Sequence, residues 1–111
     1  MSLTLFLALL AATSQPRQEA KSFLLGRDLI ARCEKPDGWD YCYGYVVATY
    51  DATLAHERWL KVNEVCVPTG TSQGEMVDSV IGYLKANPRE MESQAASVVI
   101  VALQRRFPCP G

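Results

Sequence analysis

The chain has 111 residues, which is the size of one domain. Its 11 basic and 12 acidic residues nearly cancel and are mixed along the sequence, so it lacks the basic stripe that nucleic-acid binding needs. A chain this short buries a modest share of its surface on folding, and covalent staples would add to a small core.

Leu3 to Ala12 is an uncharged apolar run, half the roughly 20 residues that span a bilayer as a helix. Ala12-Thr13-Ser14 and then Gln15-Pro16 follow it. That is the layout of a signal peptide and its cleavage site, although no Lys or Arg precedes the run. Residues 1–14 are therefore expected to be a signal peptide, and residues 15–111 a single mature domain. The competing reading is a buried N-terminal helix of that domain.

Four helices are expected after it. The first runs from about Gln18 to Arg32, with Ala20, Phe23, Leu24, Leu29 and Ile30 as its apolar stripe. Cys33 ends it, Glu34 to Gly38 makes a turn, and Asp37 or Asp40 is placed to cap the next helix. The second runs from about Trp39 to Trp59. Cys42, Val46, Tyr50 and Leu54 recur every four residues on its inner face. Gly44 lies inside this helix, where glycine costs up to about 1 kcal/mol relative to alanine, and close packing against another helix is the expected reason.

Lys61 to Thr71 is the longest irregular stretch of the mature chain. Ser72-Gln73-Gly74-Glu75 fits a capping box, which opens a third helix reaching Ala86. Met76, Val77, Val80, Ile81 and Leu84 form its buried stripe. Asn87-Pro88 stops it and starts the fourth helix, which runs to about Arg106 with Ala95, Val98, Val99, Ala102 and Leu103 inward. Glu90 and Glu92 stand in its first turns and Arg105 and Arg106 in its last, as the helix dipole favours.

Cys33, Cys42, Cys66 and Cys109 are an even set in a short chain with an export signature, which favours disulfides. Structural zinc sites bring their ligands in close pairs, and here the only histidine is His56. Of the three possible connectivities, Cys33 with Cys42 and Cys66 with Cys109 is preferred, and pairings such as Cys33 with Cys66 stay open. In the chain-entropy model, loops of about 10 and about 44 residues contribute about 2.7 and about 4 kcal/mol. Little points to catalysis. His56 lies in the charged stretch His56-Glu57-Arg58, which reads as a solvated helix face. The acidic pairs have capping roles, and the scattered glycines form no phosphate loop. The expected class is an all-α, disulfide-stapled bundle that is not an enzyme and uses no cofactor or metal.

Several motifs occur in a fixed order: Cys42-Tyr43-Gly44-Tyr45, Cys66-Val67-Pro68, Tyr83-Leu84, Asn87-Pro88, Ala95-Ala96, Ala102-Leu103 and the terminal Phe107-Pro108-Cys109. Taken together, this series resembles the Rap/Tai family, the type VI secretion amidase immunity proteins, over about residues 20 to 109. Gly74 stands where that family usually has a larger apolar residue. The resemblance implies a homodimer in the Gram-negative periplasm. It would bind a peptidoglycan amidase delivered by sister cells and block its groove with a protruding loop or helix end.

The segment between the second and third helices is the natural plug. Trp59, Leu60, Lys61, Asn63, Glu64, Val67 and Thr69 are its candidate contact residues. Trp59 could instead be a core residue at the end of its helix, and the segment could be a plain connector. Two other functions compete with this reading: a periplasmic stress chaperone of the small disulfide-bonded kind, and an accessory envelope protein without a toxin partner.

Overall fold

Each of the later helices begins or ends where its sequence says it should. The computed structural model describes residues 20–111, so the expected signal peptide and the domain's first residues lie outside the described part. Helix α1 spans Gly26–Cys33, α2 Trp39–Leu60, α3 Gln73–Ala86 and α4 Ala95–Arg106. Short 3₁₀ turns at Pro36–Gly38 and Pro88–Glu92 join α1 to α2 and α3 to α4. The Ser72 hydroxyl accepts the Glu75 N–H at 3.1 Å, which caps α3 as its sequence predicts. Asn87 closes the same helix, since both its backbone N–H and its side-chain amide donate to the Tyr83 carbonyl. The β-prone run Val98-Val99-Ile100-Val101 is helical, because Val98 and Val99 are needed in the core beside Ala95, Ala102 and Leu103.

The core gathers one stripe from each helix. Leu29 and Ile30 come from α1, Cys42 and Val46 from α2, Met76, Val77, Val80 and Leu84 from α3, and five residues from α4. Val65 and Phe107 close it beyond the helix ends. Two disulfides staple it, Cys33–Cys42 and Cys66–Cys109. The first ties the end of α1 to the first turn of α2. The second ties the segment after α2 to the residues that follow α4.

Two expected helix starts are too early, for one shared reason. Residues 20–25 are not helical, and α4 starts at Ala95 instead of Pro88. Leu25 and Gln94 face each other in an isolated antiparallel bridge. The Gly26 N–H donates to the Ser93 carbonyl at 2.8 Å, and the Ala95 N–H donates to the Leu24 carbonyl at 3.0 Å. These bonds hold both segments extended, so neither helix can extend backward through them. Ala20 and Phe23 consequently leave the expected stripe, and Phe23 is fully exposed. Glu92 does not serve a helix dipole: one guanidinium nitrogen of Arg27, Nη1, donates to both its carboxylate oxygens at 2.7 and 2.8 Å.

Gly26 fits this crossing because a Cβ there would collide with the Glu90 carbonyl oxygen and come within 2.9 Å of the Leu84 side chain. Gly44 is the opposite case. It is exposed on α2 with nothing within 4 Å of a built Cβ, so the expected helix–helix packing is absent. Neither Asp37 nor Asp40 caps α2, whose N-cap is Gly38 without a side-chain bond. Tyr45 is half-buried, and burial is the main cause holding its phenol pKa above the ordinary 10.0. The neutral phenol is the form the fold favours, so its contribution is complete below pH 10 and fades as the pH rises past it.

The two glycines predict opposite outcomes in urea-melt measurements. Gly26→Ala should lose about 1–3 kcal/mol through overpacking. Gly44→Ala should gain about 0.5–1 kcal/mol through helix propensity.

Candidate partner-binding loop

Helix α2 stops because Lys61 turns into the left-handed region at φ 55°, a conformation uncommon for a residue with a Cβ. The Lys61 and Val62 N–H groups both donate to the Glu57 carbonyl, a Schellman-type closure. The chain then passes over the Glu57 side chain. One carboxylate oxygen, Oε1, accepts the N–H groups of Glu64 and Val65, each at 2.7 Å. Val65 enters the core at 5% exposure, and Cys66 follows in its disulfide to Cys109. Pro68 to Thr71 forms a turn in which the Pro68 carbonyl accepts from both the backbone N–H and the hydroxyl of Thr71. Ser72 then caps α3.

The apolar side chains on the near side of this segment face water. Trp59 is 79% exposed, Leu60 58%, and Val62 and Leu54 just under 40%. Trp59 is therefore on the surface, and the alternative of a core tryptophan does not apply. Lys61, Asn63 and Glu64 are exposed beside them. Leu54, Arg58, Lys61, Val62 and Asn63 line an open depression of about 460 Å³ with Glu57 at its floor. Of the candidate contact residues, Lys61 and Asn63 line this depression, Trp59 and Leu60 are exposed next to them in the chain, and Glu64 lines a separate depression with Thr49, Thr53, His56 and Ile100. Val67 packs against the core, and Thr69 is exposed on the separate turn past the disulfide.

Glu57 is the residue that the pattern misplaced. Grouped by charge with His56 and Arg58, it reads as solvated, and His56 is indeed exposed. Glu57 itself is 7% exposed. Steps of four residues from Cys42 through Val46 and Tyr50 to Leu54 drift by about 40° each, so they leave the inner face before the helix ends. The observed inner face runs through Cys42, Val46, Thr53 and Glu57, and Leu54 is exposed. The seven-residue step from Val46 to Thr53 followed by four to Glu57 was the available signal. A buried carboxylate with two charge-assisted N–H bonds offsets much of its desolvation cost.

The chain is a disulfide-stapled helical scaffold that displays an exposed, partly apolar loop. The family model of the Rap1a immunity proteins matches residues 25–109, and the chain belongs to that family. No curated protein and no solved structure matches it.

Removing the second staple tests what anchors the loop. Cys66→Ala with Cys109→Ala should lower stability by about 2–5 kcal/mol in chemical denaturation.

Proposed function

We propose that this immunity protein works in the periplasm, where it binds a peptidoglycan amidase effector of a type VI secretion system and blocks its substrate groove. The carrying observation is the segment from Trp59 to Glu64, which presents exposed apolar side chains and polar neighbours on a backbone held at both ends. Ordering costs are then met in the free protein, and affinity rises accordingly. Exposed tryptophan beside leucine and lysine is a composition suited to anchoring in a partner's cleft. Export fits the expected signal peptide at residues 1–14 and the two disulfides, which persist in oxidising compartments. No helix among the described residues is long and apolar enough to cross a membrane. Inhibition of this kind needs no catalytic residue, cofactor or metal in the inhibitor.

The proposal includes a homodimer, supported by the outward face of α2. Tyr41, Gly44, Ala48, Ala52, Ala55 and Trp59 are all exposed, and their spacing by three or four residues places them along one side of the helix. The pattern is nearly symmetric about Tyr50, with alanines two residues to either side and aromatic residues nine to either side. Two copies packed antiparallel about Tyr50 would bring these small residues together, and Trp59 at the end of the stripe stays open to the effector. Asp40 and Arg58 flank the stripe at opposite ends, so opposite charges would meet across the pair. Close approach also gives the exposed Gly44 a use that the monomer lacks.

The test is a pull-down from periplasmic extract with the chain from Gln15 as bait, read by mass spectrometry. A stoichiometric peptidoglycan amidase is the expected capture, and clean bait from extracts that express secretion effectors would overturn the proposal. Leu60→Asp should then weaken amidase binding by about 2 kcal/mol or more in calorimetry while leaving the fold intact. Ala48→Glu should convert a dimer to a monomer in light scattering without weakening the loop.

A further inference from the structure

We propose that Glu57 is a positioning residue that holds residues 61–65 in the one conformation the partner recognises. The inference rests on the reading of that segment as the effector-binding face.

Four backbone N–H groups of the segment converge on this one residue. Its carbonyl takes Lys61 and Val62, and its carboxylate takes Glu64 and Val65. Only Asn63 stands between the two pairs. Little else holds this stretch. Lys61 to Glu64 are exposed, so burial does not fix their backbone, and the disulfide begins only at Cys66. The Lys61 and Val62 bonds would form at a helix end of this type whatever side chain stood at position 57. The Glu64 and Val65 bonds depend on the side chain. A glutamate at this point of α2 reaches forward over the helix end because the helix has already turned away at Lys61. Water is a poor substitute at the Val65 N–H, since Val65 is buried. The carboxylate therefore turns an exposed connector into a surface with one shape, and its absence would leave the contact residues in place but unordered.

The geometry sets its own internal control. In Glu57→Ala, hydrogen exchange followed by NMR should show the Glu64 and Val65 amides losing protection by about tenfold to a hundredfold, since they have no other partner. The Lys61 and Val62 amides bond the main chain of residue 57 and should change far less. Val80 and Val99, in the core of α3 and α4, should not change. Glu57→Gln keeps one acceptor oxygen and should restore most of the protection, and where Glu57→Ala fails to fold, Glu57→Met, which fills the same space without an acceptor, carries the test.

The binding arm uses the amidase captured by the pull-down. Glu57→Ala should weaken it by about tenfold or more, and Glu57→Gln by much less. Unchanged protection at Glu64 and Val65 would overturn the assignment, and so would a loss shared equally by the core amides. Normal amidase affinity in a variant whose loop amides are unprotected would do the same. Failure of the wild-type chain to bind any amidase would sink the immunity proposal alone, because the exchange measurements still decide whether Glu57 orders the segment.

Discussion

The Cys66–Cys109 disulfide is the constraint on which the arrangement around the loop depends. Its two cysteines lie at the end of the segment after α2 and just beyond α4, 43 positions apart in sequence. The bond closes a loop that contains all of α3 and α4, so it removes much of the freedom the unfolded chain would have. It also sets where neighbouring apolar residues go. Val65 precedes one cysteine and Phe107 lies two before the other, and both are buried. The disulfide thereby fixes the chain from Cys66 onward, and the exposed stretch before it needs a separate anchor. Glu57 supplies that anchor with hydrogen bonds in place of a covalent link.

Helix α2 serves two surfaces at once, and this explains its composition. Its inner face is unusually polar toward the C-terminal end, where Thr53 and Glu57 replace aliphatic residues. The Thr53 hydroxyl returns to the Thr49 carbonyl at 2.8 Å, and Glu57 turns to the loop. The outer face carries small residues between Tyr41 and Trp59, with the exposed Asp51 and Arg58 beside them. A helix whose only task was to cover a core would carry apolar residues along its whole inner face and larger polar residues outside. The aromatic residues of its first turns are held in other ways. The Arg32 guanidinium sits 3.8 Å above the Tyr41 ring, which stacks on Tyr45 at 6.3 Å.

The crossing of residues 24–26 with 93–95 shows how little backbone pairing is needed to override helical periodicity. Two hydrogen bonds stop both helices, although the sequence on each side of the crossing is compatible with a continued helix. The ion pair of Arg27 with Glu92 reinforces the same crossing from the surface, where solvent screens it. Gly26 is the local requirement, because only a residue without Cβ lets the Glu90 carbonyl come so close.

The sequence by itself determined the all-helical class, the limits of α3, the ends of α1 and α4, the two-disulfide framework and the irregular stretch between α2 and α3. These are local or pairwise facts: caps at Ser72 and Asn87, 3.6-residue stripes, and an even set of cysteines. Its motif order also pointed to the immunity family that the match over residues 25–109 shows. Tertiary structure alone decided the rest. Whether Phe23 joined a helix depended on Leu24 and Gly26 meeting Ser93 and Ala95 some 70 positions away. Whether Gly44 touched a neighbouring helix depended on which face of α2 met the core. Trp59 could be assigned to neither core nor surface from spacing, since it falls at a helix end where the stripe is ambiguous. Glu57 looked solvated because charge predicts exposure on average. Spacing from Val46 and Thr53 puts it on the inner face, but its partners, two loop N–H groups seven and eight residues farther on, are ones the sequence gives no means of placing.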